Sequence, residues 1–294
     1  MCPLCQNSRH IIKDGFYQQK SKRKAKVQRL RCASCKKRFS RQTHSPTYRE
    51  RKSHINQPLF RLLTAGLSQR KCAEILSIHP TTVARKLTRM GRQAALKMLK
   101  EKMGCSPNIL IFDEMETFEH SKCKPISIVV AVEKYSRRIL FTSAQSMPAK
   151  GLLAEVSRKK YGPRADNRGK ALKDMCQVLS QKHRITEIWT DQSPRYPSVV
   201  RKYFPDIIHR TTKGRRGCVV GQGELKGGGF DPIFSLNHTC AMFRDNLKTL
   251  TRRTWCTVKK ISSLQNLLNL YMYYHNERLK TPRRIKVRLD LSPI

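Results

Sequence analysis

Four cysteines near the N-terminus, Cys2 and Cys5 in CPLC and Cys32 and Cys35 in CASC, form two C-x2-C pairs separated by 26 residues. Each pair can hold one side of a tetrahedral zinc ion, and such paired spacing seldom arises by chance. Much later, Asp113 follows the apolar run NILIF, and Asp191 closes EIWTD. Two carboxylates at strand ends can share divalent cations, hard ions that take oxygen ligands. In a two-metal site one ion activates the attacking oxygen and the other stabilises the leaving oxygen of an in-line phosphoryl displacement. The plainer reading makes Asp113 a solvated loop acid and Asp191 a helix cap before SPRYPSVVRKYF; Glu114, Glu116 and Glu119 crowd the same region and could substitute or assist. A third stretch, FSLNHTCAMFRD, sets Asn237 and His238 at the entrance of an expected helix, with Arg244 seven residues after the Asn. It reads as a helix cap, a glycosylation sequon or the last piece of an active site.

The chain around these residues is strongly basic, with 61 Lys and Arg against 20 Asp and Glu and a formal net charge of +41 over 294 residues. That excess implies a polyanionic partner bound partly through counterion release, and nucleic acid is the first candidate. An acidic membrane surface is a weaker one, because no run of about 18 apolar residues could span a bilayer. In such a chain acids near phosphate are costly unless a metal intervenes, which favours a shared role for Asp113 and Asp191. The opening MCPLCQNSRH has no apolar signal segment, so a reducing, cytoplasmic and nucleoid-associated setting is expected, with cysteines as ligands or buried hydrophobes and the NHT sequon unused. Cys72, Cys176 and Cys256 sit among apolar neighbours and read as core fillers.

The elements that must position these groups follow from periodicity. IIKDGFYQ and KVQRLR are strand-like runs flanking the basic tip KSKRKAK, which makes 1–45 a zinc ribbon. Within 55–100, Leu59, Leu62 and Leu63 mark one short helix closed by Gly66, and Ser68 caps a second bearing Cys72, Ile75 and Leu76. After SIHP a third helix is expected, with Thr81 as its cap. Val83, Leu87 and Met90 face inward there, and Thr82, Arg85, Lys86 and Arg89 face outward. This is a helix-turn-helix pattern whose basic face suits a DNA groove, although a plain three-helix scaffold shares the pattern. From 106 to 280, NILIFDEMETF, ISIVVAVE, RRILFTSA, EIWTD and DIIHRTT read as strands. KALKDMCQVLSQK, with Leu172, Met175, Cys176 and Leu179, is a core-facing helix between the third and fourth. The fold class is α/β: an antiparallel meander followed by parallel strands, a mixed sheet flanked by helices in which the first and fourth strands lie side by side. The Gly-rich stretch KGRRGCVVGQGELKGGG, the helix carrying Asn237 and the amphipathic LQNLLNLYMYYHN complete it, and 281–294 is a basic tail. Trp255 in TWC reads as core packing, and Trp189 as buried in the sheet.

The order of ribbon, helix-turn-helix and sheet, together with FDEMETF, WTDQSPRY and RDNLKTLTRRTWC, resembles the DDE transposases of small bacterial insertion sequences, in particular the IS-one-like group, over nearly the whole chain. The resemblance implies a ribonuclease-H-like catalytic core that cuts and joins DNA strands with Mg2+ or Mn2+. It also implies an assembly of two or more subunits on the inverted-repeat ends and target DNA. It further implies a third acid on the helix after the last strand, with a basic residue seven positions on. Aligned through Arg244, Arg252 and Cys256, that acid's position falls on Asn237, an uncharged ligand. His238 competes for the place, with Glu224 and Asp231 less favoured. Arg244, Lys248 and Arg252 would hold phosphate near the metals. Loss of the acid also admits a different class of function, a sequence-specific DNA-binding regulator with an inactive catalytic domain.

Overall fold

The computed structural model describes residues 1–18, 26–45, 47–101, 108–213, 231–251, 255–282 and 285–290. It divides into two compact units, one comprising Met1–Ile55 with Asp290–Ile294 and the other Asn56–Leu289. The basic tip at 20–25 and the Gly-rich stretch at 214–230 lie outside the described residues.

The first unit is a three-stranded antiparallel sheet of β1 (Ile11–Gln18), β2 (Lys26–Cys32) and β3 (Arg38–Phe39), in that order. Among the described residues its buried hydrophobic cluster is Cys2, Cys32 and Phe39, with Ile11, Leu30 and Cys35 packed against them. So small a core needs reinforcement, which a bound metal supplies in domains of this size.

The second unit opens with α1 (Asn56–Thr64), α2 (Gln69–Ile75) and α3 (Pro80–Met98). Leu59, Phe60 and Leu63 are buried from α1, and Gly66, at φ +83°, makes the turn that follows. Ser68 caps α2, its Oγ accepting the Lys71 amide at 3.3 Å. The cap of α3 is His79 rather than Thr81: the His79 Nδ1 accepts the Thr81 amide at 3.3 Å, and Pro80 occupies the first helical position, where its missing N–H costs nothing. Val83, Leu87 and Met90 are buried as the periodicity predicts. Lys86 is buried with them and donates to Asn56 Oδ1 at 2.6 Å, so it does not belong to the outward basic face assigned to it above.

A five-stranded sheet follows: β4 (Ile109–Phe118), β5 (Pro125–Glu133), β6 (Ile139–Ser146), β7 (Glu187–Asp191) and β8 (Ile208–Thr212), in the order β6-β5-β4-β7-β8. The β4-β5-β6 meander is antiparallel, and β4-β7-β8 is parallel, with the first and fourth strands of the sheet adjacent. Helices α4 (Leu153–Tyr161) and α5 (Arg168–Lys182) connect β6 to β7, and α6 (Tyr196–Tyr203) connects β7 to β8. Leu110, Phe112, Val129 and Ala131 bury one sheet face against α5 and α6, through Leu172, Met175, Leu179 and Tyr196. Side chains alternate along a strand, so Ile109, Ile111, Asp113 and Met115 of β4 point to the opposite face.

That opposite side carries α7 (Phe234–Asn246) and α8 (Ile261–Lys280). Two amides of α8 satisfy the outer edge of β6. Gln265 accepts from the Ala144 amide and donates to the Thr142 carbonyl, at 2.8 and 3.0 Å, and Asn276 does the same with both backbone groups of Ile139, at 2.9 and 2.8 Å. An edge that would otherwise invite another strand is thereby closed. On its other flank α8 packs along α3 so closely that a Cβ on Gly91 would stand 2.5 Å from the Asn266 carbonyl oxygen. Among the described residues no helix is long and apolar enough to cross a membrane.

Candidate active site

Asp113 is not at a strand end, as the sequence reading has it: β4 continues to Phe118. The strand that ends is β7, at Asp191. The parallel register runs Ile109 to Glu187, Leu110 to Ile188 and Ile111 to Trp189, and two residues further it sets Asp113 level with Asp191. Beyond that point β4 stays paired with β5 but no longer with β7, and Tyr196, at the start of α6, fills the vacated side. Its ring packs edge-on against Phe112, and its hydroxyl donates to Asp113 Oδ1 at 2.9 Å. The Glu114 amide donates to the same oxygen at 2.7 Å, while Asp191 Oδ1 accepts the Ser193 amide at 2.9 Å. Both carboxylates are thus oriented by short, fixed donors.

Burial pushes the Asp113 carboxyl up to about 6; the charges of Asp191 and Glu114 add to this, and the Glu114 amide and Tyr196 hydroxyl oppose it. Crowded carboxylates with raised affinity for positive charge suit a divalent cation, and their oxygens are the hard donors such ions prefer. Asp113 and Asp191 would hold it. Glu114 is otherwise engaged: Arg195 pairs with it at 2.5 Å and the Ser127 hydroxyl donates to it at 2.7 Å, its side chain being nearly buried. Glu116 pairs with Lys150 at 2.7 Å and Glu119 with Arg164 at 3.3 Å. Among the described residues no third Asp, Glu, His or Cys ligand atom joins Asp113 and Asp191. A further protein ligand from these residues would be a neutral oxygen: an amide, a hydroxyl or a backbone carbonyl.

Helix α7 starts at Phe234 with Ile233 as its cap residue, so Asn237 lies inside the first turns and is not the N-cap. Its exposed side chain donates to Asp231 Oδ2 at 2.7 Å, and Asp231 Oδ1 accepts the Ile233 amide at 3.1 Å. His238 turns to another side, stacked against Phe234 and 3.3 Å from the Arg137 guanidinium at the β5–β6 turn; burial and that cation lower its pKa. One turn after Asn237, Cys240 was not singled out by sequence reasoning. Burial pushes its thiol up to about 12, the charge of Asp113 adding and that of Arg244 opposing. Helix α7 packs on β4 and β5, and Asn237, Cys240 and Arg244 share one of its faces by helical spacing. Lys248, past the end of α7, is exposed; Arg252 and Glu224 lie outside the described residues.

In the first unit the Sγ atoms of Cys2, Cys5, Cys32 and Cys35 all lie within 4.8 Å of one another, with Cys2 to Cys35 at 3.5 Å and Cys5 to Cys32 at 3.6 Å. Tetrahedral Zn–S bonds of about 2.3 Å require sulfur separations of about 3.8 Å, so the set fits zinc. Within this thiol cluster the Cys35 amide helps to hold the Cys32 thiol down to about 6, toward the thiolate that binds metal, while burial and the neighbouring thiols push Cys35 up to about 12. On α3, Arg85 is exposed and Thr82 and Arg89 are half-buried. Trp189 is only half-buried under the Lys134 ammonium, 3.6 Å from its ring, and Trp255 is fully exposed, not core.

No family model and no curated protein matches this chain. Among solved structures it is similar to a chain of the simian T-cell lymphotropic virus intasome in complex with PP2A regulatory subunit B56 gamma. The identity is 15%, with 74% of this chain and 64% of that chain covered and a TM-score of 0.30. It is also similar to the catalytic core domain of BIV integrase, with 15% identity, 59% of this chain and 97% of that chain covered and a TM-score of 0.25. The chain thus spans under two thirds of the first of these.

Proposed function

We propose that the chain is a DNA transposase: it binds the inverted-repeat ends of an insertion sequence, cuts there to free a 3′-hydroxyl, and joins that end to target DNA. The observation that carries the reading is the Asp113–Asp191 pair, two oriented carboxylates level with each other on adjacent strands of a chain with net charge +41. Bound there, Mg2+ or Mn2+ would activate the attacking oxygen and stabilise charge on the leaving one. Tyr196 and the Glu114 amide hold Asp113 in place, and Arg195 neutralises Glu114 so that it does not compete. Asn237 is the candidate third ligand through its amide oxygen, and Arg244 and Lys248 are candidate phosphate contacts, with Arg252 extending them.

In this reading 1–45 is a zinc ribbon, 55–100 a helix-turn-helix that reads the ends with Thr82, Arg85 and Arg89, and 106–280 a ribonuclease-H-like catalytic domain with a basic tail after it. The working form is a homodimer or higher oligomer on DNA, in the bacterial nucleoid. Purified protein supplied with its own element's ends and Mg2+ should cleave, and Asp113→Asn or Asp191→Asn should abolish cleavage; cutting that persists in both would sink the assignment. One observation favours a second reading, a DNA-binding regulator with an inactive catalytic domain: the third position is an amide tied to Asp231. Terminal inverted repeats flanking the gene separate the two, being expected of a mobile element and not of a regulator.

A further inference from the structure

Trp255 is 101% exposed, while no other aromatic side chain among the described residues exceeds 60%. Tryptophan carries a large apolar surface that folding normally hides, so a ring left wholly in water is waiting for something flat and apolar. It stands between two clefts. One, of about 680 Å³, is lined by Thr117, Phe118, Lys122, Arg244 and Thr249; the other, of about 650 Å³, by Gly66, Ser68, Lys71 and Lys248; Trp255 borders both.

The walls are cationic. Among the described residues their one lining carboxylate, Glu116, is held by Lys150 at 2.7 Å, and Lys71 carries an exposed ion pair to Glu74, also at 2.7 Å. The first cleft lies along the strand that carries Asp113: Glu116, Thr117 and Phe118 on its wall follow Asp113 on β4. A duplex keeps its base faces stacked inside and offers an aromatic ring little. A single strand offers one face per nucleotide, and a basic track with an interposed aromatic is how such strands are held.

We propose that Trp255 is a stacking platform for an unpaired base of a DNA strand that runs through these two clefts, its phosphates met by Lys71, Lys122, Arg244 and Lys248. The proposal rests on the DNA reading above and adds to it the form of DNA and the residue that grips it. The strand leaves the acid pair along Arg244, passes Trp255 and continues toward the turn between α1 and α2.

The test uses the full chain with zinc loaded, in Mg2+-free buffer, with fluorescein-labelled oligothymidylate and a duplex of equal length as probes. Trp255→Ala should weaken oligothymidylate binding by about 5- to 100-fold, and Trp255→Phe should recover most of it. Duplex affinity should change less than about twofold and the salt slope of oligothymidylate binding should hold, since no phosphate contact is removed. In Trp189→Phe, which leaves Trp255 as the sole tryptophan, oligothymidylate should quench the emission.

Equal oligothymidylate affinity in wild type and Trp255→Ala overturns the proposal, as does an equal loss on duplex or an unquenched Trp255. Loss of an oligomer in Trp255→Ala, seen by light scattering with oligothymidylate affinity unchanged, overturns it in favour of a second copy covering the ring. Binding needs no cutting: absence of Asp113-dependent cleavage would leave a positive result standing, and normal cleavage beside an indifferent Trp255→Ala would sink this proposal alone.

Discussion

Replacing Asp113 by Asn should abolish catalysis and at the same time make the Mg2+-free protein more stable. The carboxyl is raised from 3.8 to about 6, chiefly by burial and by the charge of Asp191. A carboxyl whose folded pKa lies above its unfolded value binds more protons folded than unfolded across the interval, so stability falls as pH rises through it. About two pKa units at about 1.4 kcal/mol each put the ionised side chain about 3 kcal/mol against folding at pH 7, and about 1 kcal/mol at pH 4.5, where the folded protein is mostly protonated there. Asn keeps the oxygen that accepts from Tyr196 and the Glu114 amide, and its new N–H2 meets Asp191 without repulsion. Urea unfolding followed by tryptophan emission should therefore show Asp113→Asn stabilised at pH 7 by up to about 3 kcal/mol, roughly 6–12 °C in Tm for a unit of this size. The gain should shrink to about a third at pH 4.5. Mg2+ at a hundred times its Kd should add about 2.7 kcal/mol to the wild type and little to the variant. A variant less stable than wild type at pH 7, or a gain that does not fall with pH, refutes the account of Asp113 as a crowded carboxylate.

Cys32→Ser with Cys35→Ser should cost the first unit its zinc and its protection from proteolysis while the sheet unit still melts cooperatively; zinc content by atomic absorption should fall from about one per chain to none. Gly91→Ala should gain helix propensity yet lose about 1–3 kcal/mol net, because the added methyl meets the Asn266 backbone rather than a movable side chain; a neutral or positive shift in urea midpoint would mean α3 and α8 can separate. Asn276→Ala should cost about 2–4 kcal/mol by leaving both backbone groups of Ile139 unpaired and a void between α8 and β6, read as a lower Tm and faster amide exchange at Ile139. Arg85→Gln should weaken binding to the element's ends by about 1–3 kcal/mol if that side chain reads a base, and unchanged end binding would leave α3 as scaffold.

The central strands could be read from the sequence because β5 and the first half of β4 are apolar runs buried on both faces, while β7 and the exposed β8 show only short apolar starts; the meander-then-crossover order leaves the first and fourth strands as neighbours. Adjacency alone does not set the register; the structure adds it, pairing Ile111 with Trp189 so that Asp113 comes level with Asp191. Helix α4 could not be found the same way: of Leu153–Tyr161 only Ser157 is buried, so no apolar stripe announces it. Lys86 misleads for a related reason. A helical wheel assigns a lysine outward, whereas here the stem lies along the buried seam and the ammonium reaches Asn56, an acceptor supplied by a helix that no local pattern links to it.

Helix α7 shows where spacing stops informing. Seven residues between Asn237 and Arg244 do put both on one face, but the sequence cannot say what each side chain meets; in the structure Asn237 is drawn to Asp231 and His238 to Arg137. The pull of Asp231 on the Asn237 amide nitrogen also fixes which end of that amide could meet a cation. With the N–H2 committed to a carboxylate, the oxygen is the donor left for a metal, so this contact and a ligating role for Asn237 are compatible. The sequence alone offered cap, sequon or ligand, without saying which atom of the amide would be free.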